Sequence, residues 1–438
     1  MKKKLSPTQI LALSFLLVIL IGAFLLSLPQ ASKETSLSLV DALFTATSAT
    51  CVTGLIVVDT GSHFTLFGQI VILFLIQLGG LGIMTASIFL VFLLGKHISI
   101  KERMLIKESL GAEGIGKILH RLRQVLVFTV TVEILGASLL FFLFKKDFSS
   151  GRAAYLAIFH SVSAFCNAGF SLFKESLIGY QGSVLANLTF SFLIILGGIG
   201  FVVVADIGGA LRKAKRLSLH TKSVLTVTVI LIISSAFLFY FLEGKSALLG
   251  LSLKAKICSS WFLSITPRTA GFNSLPTEAL SSASLFLIIF LMFVGGAPGS
   301  TAGGIKVSTL AVLFGVVTSI VKGRDEIELY KRTIPKEIGQ KALAIITLSA
   351  LTILVSTFLL LLLKEAGSFL EILFEVTSAF GTVGLSTGLT PKLSFLGKMV
   401  IIVLMFVGRL GPLTVALAVG EKKFKAPYKF PEEKVVIG

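Results

Sequence analysis

Residues 42–55 read ALFTATSATCVTGL. Small and hydroxyl-bearing residues fill the stretch, and it closes on a glycine followed by a large apolar residue. It lies between two strongly apolar runs, near 8–28 and 65–94. Three other stretches align with it without gaps: AIFHSVSAFCNAGF at 157–170, SSWFLSITPRTAGF at 259–272 and ILFEVTSAFGTVGL at 372–385. Each ends in Gly then Leu or Phe, and the glycines are Gly54, Gly169, Gly271 and Gly384, separated by 115, 102 and 113 residues. A fourfold repeat of that period is longer than a solenoid unit.

The runs that flank these stretches set the class. The chain has 438 residues, 54% hydrophobic and 14% charged, against about a quarter charged in soluble domains. Long apolar segments lie near 8–28, 65–94, 122–144, 184–211, 221–243, 282–321, 341–363 and 394–420. Roughly 20 apolar residues cross a ~30 Å hydrocarbon core as a helix, so eight spans are predicted. The half-apolar segments 38–50, 152–165, 254–266 and 368–380 are too short to cross and read as re-entrant helices. The expected fold is an all-α membrane protein of eight transmembrane helices in four span–pore-helix–span repeats around one quasi-fourfold pore. The repeats are divided as 1–95, 96–216, 217–323 and 324–438. The apolar N-terminus is read as a retained first helix, because it is longer than a signal-peptide core and lacks a small-x-small cleavage site.

The net charge of +18 does not call for nucleic acid. The stretches 2–4, 96–123, 212–222, 322–341 and 422–434 hold 26 Lys and Arg, and the alternate connections hold 8. Such a bias puts both termini in the cytoplasm and orients all four units alike. Carriers with inverted repeats fit that common orientation less well than a single pore. The five histidines are scattered and the three cysteines make no framework, so no enzyme constellation is present.

Four like-oriented glycine-ended strands can offer a ring of carbonyls in place of a cation's hydration shell. Glycine permits the positive φ this needs, and the short helices would aim their partly negative C-terminal ends at the ion. The second run of every unit also carries glycines: LGGLG at 78–82, LGGIG at 196–200, VGGAPGSTAGG at 294–304 and VGRLG at 407–411. Only the third unit is expected to interrupt its second span, at GGAPGSTAGGIK. That segment reads either as a kinked helix or as an intramembrane loop beneath the strands. It is a near miss for a phosphate loop, with Ile305 where the motif needs lysine. Arg409 either snorkels or pairs structurally, or it faces the pore beside that loop. Glu133, His160, Asp206 and Glu375 are read as buried polar groups that orient helices. Arg268 is expected to point away from the pore, and Cys51 and Cys166 to pack behind it.

Together TATSATCVTGL, FCNAGFS, TPRTAGFNS and SAFGTVGL resemble the motifs of the Ktr/Trk/HKT potassium transporter superfamily, most closely its bacterial KtrB-type membrane subunit, over essentially the whole chain. The resemblance implies K⁺ uptake across the cytoplasmic membrane, with Na⁺ as a candidate coupling ion. It implies a K⁺ filter at Val52, Thr53 and Gly54; Asn167, Ala168 and Gly169; Thr269, Ala270 and Gly271; and Thr382, Val383 and Gly384. It implies a gate at Gly295, Gly296, Ala297, Pro298, Gly299, Ser300, Thr301, Ala302, Gly303 and Gly304, with Arg409. It further implies a homodimer and a cytoplasmic, nucleotide-binding regulatory ring (KtrA-like) that carries ATP or ADP. Membrane lipids are the remaining expected partner.

Overall fold

The computed structural model describes residues 7–82, 115–213 and 216–419. The basic connection at 96–114, the tail from 420 and the C-terminal part of the expected span 65–94 lie outside the described residues. The first unit contains α1 (Pro7–Ser27), α2 (Leu39–Thr50), the one-turn α3 (Thr60–His63) and α4 (Leu66–Leu81). The second contains α5 (Ile115–Phe144), α6 (Ser150–Phe165), α7 (Val184–Gly198) and α8 (Phe201–Lys213). The third contains α9 (Leu219–Leu242), α10 (Leu253–Ile265), α11 (Ser282–Phe293) and α12 (Val307–Val321). The hairpin β1 (Ile327–Leu329) and β2 (Arg332–Ile334) leads to α13 (Lys336–Leu362), α14 (Phe369–Gly381), α15 (Phe395–Leu410) and α16 (Pro412–Val419).

Local signals start these helices. Ser38, Thr65, Ser183, Ser218, Ser252, Ser281, Ser368 and Ser394 each accept a hydrogen bond from the amide three residues on. A cap of this kind is worth about 1 kcal/mol. Ser368 and Glu371 complete a reciprocal capping box. Asp206 accepts from the Ser218 amide and from the Ser218 and Thr221 hydroxyls, tying α8 to the start of α9. Glu243 and Glu365 do the same for the caps Ser281 and Ser394.

Among the described residues, α1, α5, α9 and α13 each contain a stretch long and apolar enough to cross a membrane, and the pair α7–α8 passes the same test together despite a 96° bend. The exposed aromatic rings of the long helices, such as Phe24, Phe142, Phe237 and Phe358, suit hydrocarbon surroundings. Fully buried Phe44, Phe159 and Phe374 hold the short helices in the interior.

The expectation of a single broken second run is corrected. The run of the second unit bends between α7 and α8 at Gly200 (φ +90°), and that of the fourth divides between α15 and α16 at Gly411 (φ +87°). In the first unit α4 stops at Leu81, before Gly82 (φ +80°). Positive φ cannot continue a right-handed helix. The third unit inserts a loop where the second and fourth make a turn.

Each second helix packs on the short helix of the next unit: α4 on α6, α7 on α10, α11 on α14, and α15 back on α2. These contacts close a ring. Its seam, between the last unit and the first, also holds a Lys398–Asp41 ion pair at 2.6 Å. Glycine makes three of the inner contacts possible. A Cβ added at Gly79, Gly197 or Gly408 would overlap the carbonyl oxygen of Thr50, Phe165 or Phe380. Each of Gly79→Ala, Gly197→Ala and Gly408→Ala is therefore expected to cost about 1–3 kcal/mol, read as a lower unfolding temperature in detergent. Unchanged unfolding would contradict the tight helix crossing.

Candidate functional site

The short helices α2, α6, α10 and α14 end where their glycine-ended strands begin. In every strand two residues have positive φ: Val52 and Gly54, Asn167 and Gly169, Thr269 and Gly271, Thr382 and Gly384. These are the same repeat positions in all four units. Left-handed Val and Thr are outliers among L-residues, and each costs on the order of 1–3 kcal/mol. Such strain persists where surrounding bonds over-determine the backbone.

Those bonds are visible. Thr53, Ala168 and Val383 donate their amides to the carbonyls of Ser48, Ser163 and Ser378 at 2.7–2.8 Å. Ser48 and Ser163 donate their hydroxyls to Leu55 O and Phe170 O, both at 2.7 Å. The Gly54 and Gly384 amides donate to Ser48 Oγ and Ser378 Oγ, both at 3.1 Å. The third unit has Ile265 at the serine position, and Thr266 takes over by donating to Phe272 O at 2.6 Å. Asn167 and Thr269 meet side chain to side chain at 3.3 Å.

The four glycines approach one another in cyclic order. A Cβ built on Gly54 would lie 3.0 Å from Gly169 Cα, one on Gly169 3.0 Å from Gly271 Cα, one on Gly271 3.3 Å from Gly384 Cα, and one on Gly384 2.9 Å from Gly54 Cα. No side chain fits at any of these positions without displacing backbone.

The segment 295–304 crosses directly below. Its Gly303 abuts the Thr382 side chain. Ala297 and Thr301 donate amides to Gly198 O and Gly197 O at 2.9 and 3.1 Å, and the Thr301 hydroxyl reaches Phe165 O at 3.1 Å. Gly295 and Val307 bond to Ile305 and Gly296, pinching the loop at its neck. Arg409 donates to Thr301 O of the loop and to Gly79 O of α4. One guanidinium thus bridges units one, three and four. Arg409 therefore touches the loop at Thr301 and also pairs structurally with α4 at Gly79.

Lys306 was not singled out by its sequence context, although a lysine inside an apolar run is itself a signal. Its Nζ donates to Ala302 O at 2.8 Å and Gly303 O at 3.3 Å. The breaks at Gly200 and Gly411 were likewise missed, since LGGIG and VGRLG are compatible with a continuous helix.

The smaller candidates fall into place behind the strands. His160 and Glu375 occupy the same repeat position, and each clamps the chain just beyond its glycine. His160 Nε2 lies 3.1 Å from Ser171 Oγ and accepts from the Leu172 amide, while Glu375 accepts from the hydroxyls of Ser386 and Thr390. Arg268 reaches back to Thr228 Oγ1 on α9 at 3.2 Å. Cys51 and Cys166 are buried and unbridged. Glu133 is only partly buried and sits on α5. Glu375→Ala strips both hydroxyls of their acceptor and is expected to destabilise by about 1–3 kcal/mol, with Glu375→Gln milder. Equal unfolding temperatures for the two variants would refute the clamp.

Residues 5–425 match the family model described as TrkH, cation transport protein. The Ktr system potassium uptake protein B of Bacillus subtilis (strain 168) is 42% identical, over 99% of this chain and 97% of its own length. The potassium/sodium uptake protein NtpJ of Enterococcus hirae is 40% identical, over 100% of this chain and 98% of its own length. The crystal structure of the potassium transporter TrkH from Vibrio parahaemolyticus superposes with a TM-score of 0.76 at 21% identity, covering 96% of this chain and 86% of that one, which shows a common fold. Several membrane-crossing helices and this family make the chain a multi-pass membrane protein. The chain belongs to the TrkH family of cation transport proteins.

Proposed function

We propose that this chain is the K⁺-translocating membrane subunit of a potassium uptake system. The observation that carries the reading is the cyclic approach of Gly54, Gly169, Gly271 and Gly384, each two residues beyond a second left-handed residue. In this reading the carbonyls of residues 52–54, 167–169, 269–271 and 382–384 form a K⁺ filter and replace the ion's hydration shell. Four units, each with two spanning segments and one re-entrant helix, surround the pathway. Uptake is driven by the membrane potential, about 2.3 kcal/mol per charge per 100 mV, so this chain needs no chemistry of its own. The names of the relatives from Bacillus and Enterococcus support K⁺ as the cargo, with Na⁺ as a second ion.

The loop 295–304 and Arg409 act as the gate. The loop lies against Thr382, so an ion leaving the ring inward meets it first. Arg409 adds a positive charge there and holds the loop by its Thr301 carbonyl. Opening requires Thr301 to leave Phe165 O and Gly197 O, and Arg409 to release its two carbonyls. We assign the force for this to a cytoplasmic nucleotide-binding partner, as the Ktr naming supports, acting on a homodimer in the cytoplasmic membrane with both termini inside.

Expression in a strain unable to take up K⁺, with and without such a partner, tests the reading. Growth at low K⁺ is expected to return, and failure with inserted protein under all conditions would overturn it. Gly54→Ser should lower discrimination of K⁺ over Na⁺ in ion-flux assays on vesicles. Arg409→Ala, or deletion of residues 297–303, should raise flux without the partner; unchanged flux in folded protein would remove the gate from the proposal.

A further inference from the structure

At the end of α12 the chain turns back on itself through the hairpin β1–β2. Its register pairs Ile327 with Ile334, Glu328 with Thr333 and Leu329 with Arg332. Tyr330 and Lys331 form the tip, both at positive φ, the geometry of a tight two-residue turn. Ile327 and Leu329 pack onto α12 at Gly315, where an added Cβ would lie 2.5 Å from Leu329 Cδ1. The hairpin is thereby folded against the helix rather than extended into water.

Between hairpin and helix lies a cavity of about 240 Å³ with Lys322, Arg324, Glu328, Tyr330 and Lys331 around it. Arg324 is paired with Glu328. Lys322 and Lys331 then leave the cavity with two positive charges unopposed by its other lining residues. Asp325 and Glu326 lie on the same segment but do not line it. The opening adjoins an apolar face of α12: Phe314, Val317 and Val321 recur at helical spacing and are exposed, Val321 by 80%. Those residues need hydrocarbon beside them in a multi-pass membrane protein. Acyl chains and an anion are therefore called for side by side, within one helical turn of each other.

We propose that this cavity binds the phosphate headgroup of an anionic phospholipid whose acyl chains lie along Phe314, Val317 and Val321. Charge complementarity selects an anionic over a zwitterionic lipid, and Tyr330, 47% exposed, sits where interfacial aromatic rings are favoured. The occupant locks the link between the third and fourth units, just upstream of α13.

The test uses full-length purified protein stripped of lipid in neutral detergent. Unfolding temperature and lipid retention by native mass spectrometry are followed on adding phosphatidylglycerol, phosphatidylcholine or inorganic phosphate. Phosphatidylglycerol alone should stabilise the protein. Apparent affinity for it should fall about tenfold or more in Lys322→Gln/Lys331→Gln, since each cation near a charged membrane surface contributes appreciably. Arg332→Gln, outside the cavity, should bind as wild type. Equal binding by the double variant, or equal weakening by Arg332→Gln, would overturn the site. Stabilisation by inorganic phosphate alone would make it a free-anion site. A defect seen only in partner-dependent uptake, with lipid binding intact, would make it a protein-docking face; either result rejects the lipid.

Discussion

Four glycine α-carbons packed nearly into contact, each beside the backbone of the next unit, impose the constraint on which the rest of this molecule depends. Strands can approach so closely only if they carry no side chain there and adopt left-handed conformations at the glycine and two residues before it. Neither condition is comfortable for an L-polypeptide. The serine and threonine bonds at the ends of the short helices hold the backbone in place, as do the clamps His160 and Glu375 just beyond it. Outward from there, α2, α6 and α14 are each wedged between the second helix of their own unit and that of the preceding one, while α10 packs on α9 and on α7.

A symmetric ring would leave the underside equal on four sides, and it is not equal. The third unit replaces a single glycine break with a loop, and that loop reaches into its neighbours. It takes carbonyls from α6 and α7 through Thr301 and Ala297, and it offers a carbonyl to Arg409 of α15. Most of these bonds run to backbone atoms that helix breaks and helix ends leave free. The break of the second unit therefore supplies two of the acceptors that the loop uses, Gly197 O and Gly198 O.

The cations near the strands and the loop, Arg268 buried and Lys306 and Arg409 half-buried, follow the same logic. Arg409 and Lys306 donate to carbonyls, and Arg268 donates to a threonine hydroxyl; none of these bonds runs to a carboxylate. A guanidinium held by neutral dipoles keeps its full positive charge, whereas a buried ion pair would cancel it. In the proposed gate, Arg409 is held in this way, at a desolvation cost that only close bonding offsets.

The sequence by itself determined the four alignable stretches, the apolar runs and the positions of the strands, because each depends on local composition. Gly54, Gly169, Gly271 and Gly384 align without gaps, and all four adopt positive φ. It also marked the loop 295–304 and Arg409 as unusual, since glycine, proline and charge are costly in an apolar run. It did not determine that Arg409 touches Thr301, residues more than a hundred positions apart, or that the first and fourth units meet at Lys398 and Asp41. Nor did it show that Gly200 and Gly411 break their helices: glycine permits a break, but the neighbour packed against it decides whether one forms. Periodicity reports what a segment can do alone. Ring closure, helix breaks and the seating of a buried charge are decided by which backbone groups the tertiary structure leaves free to pair.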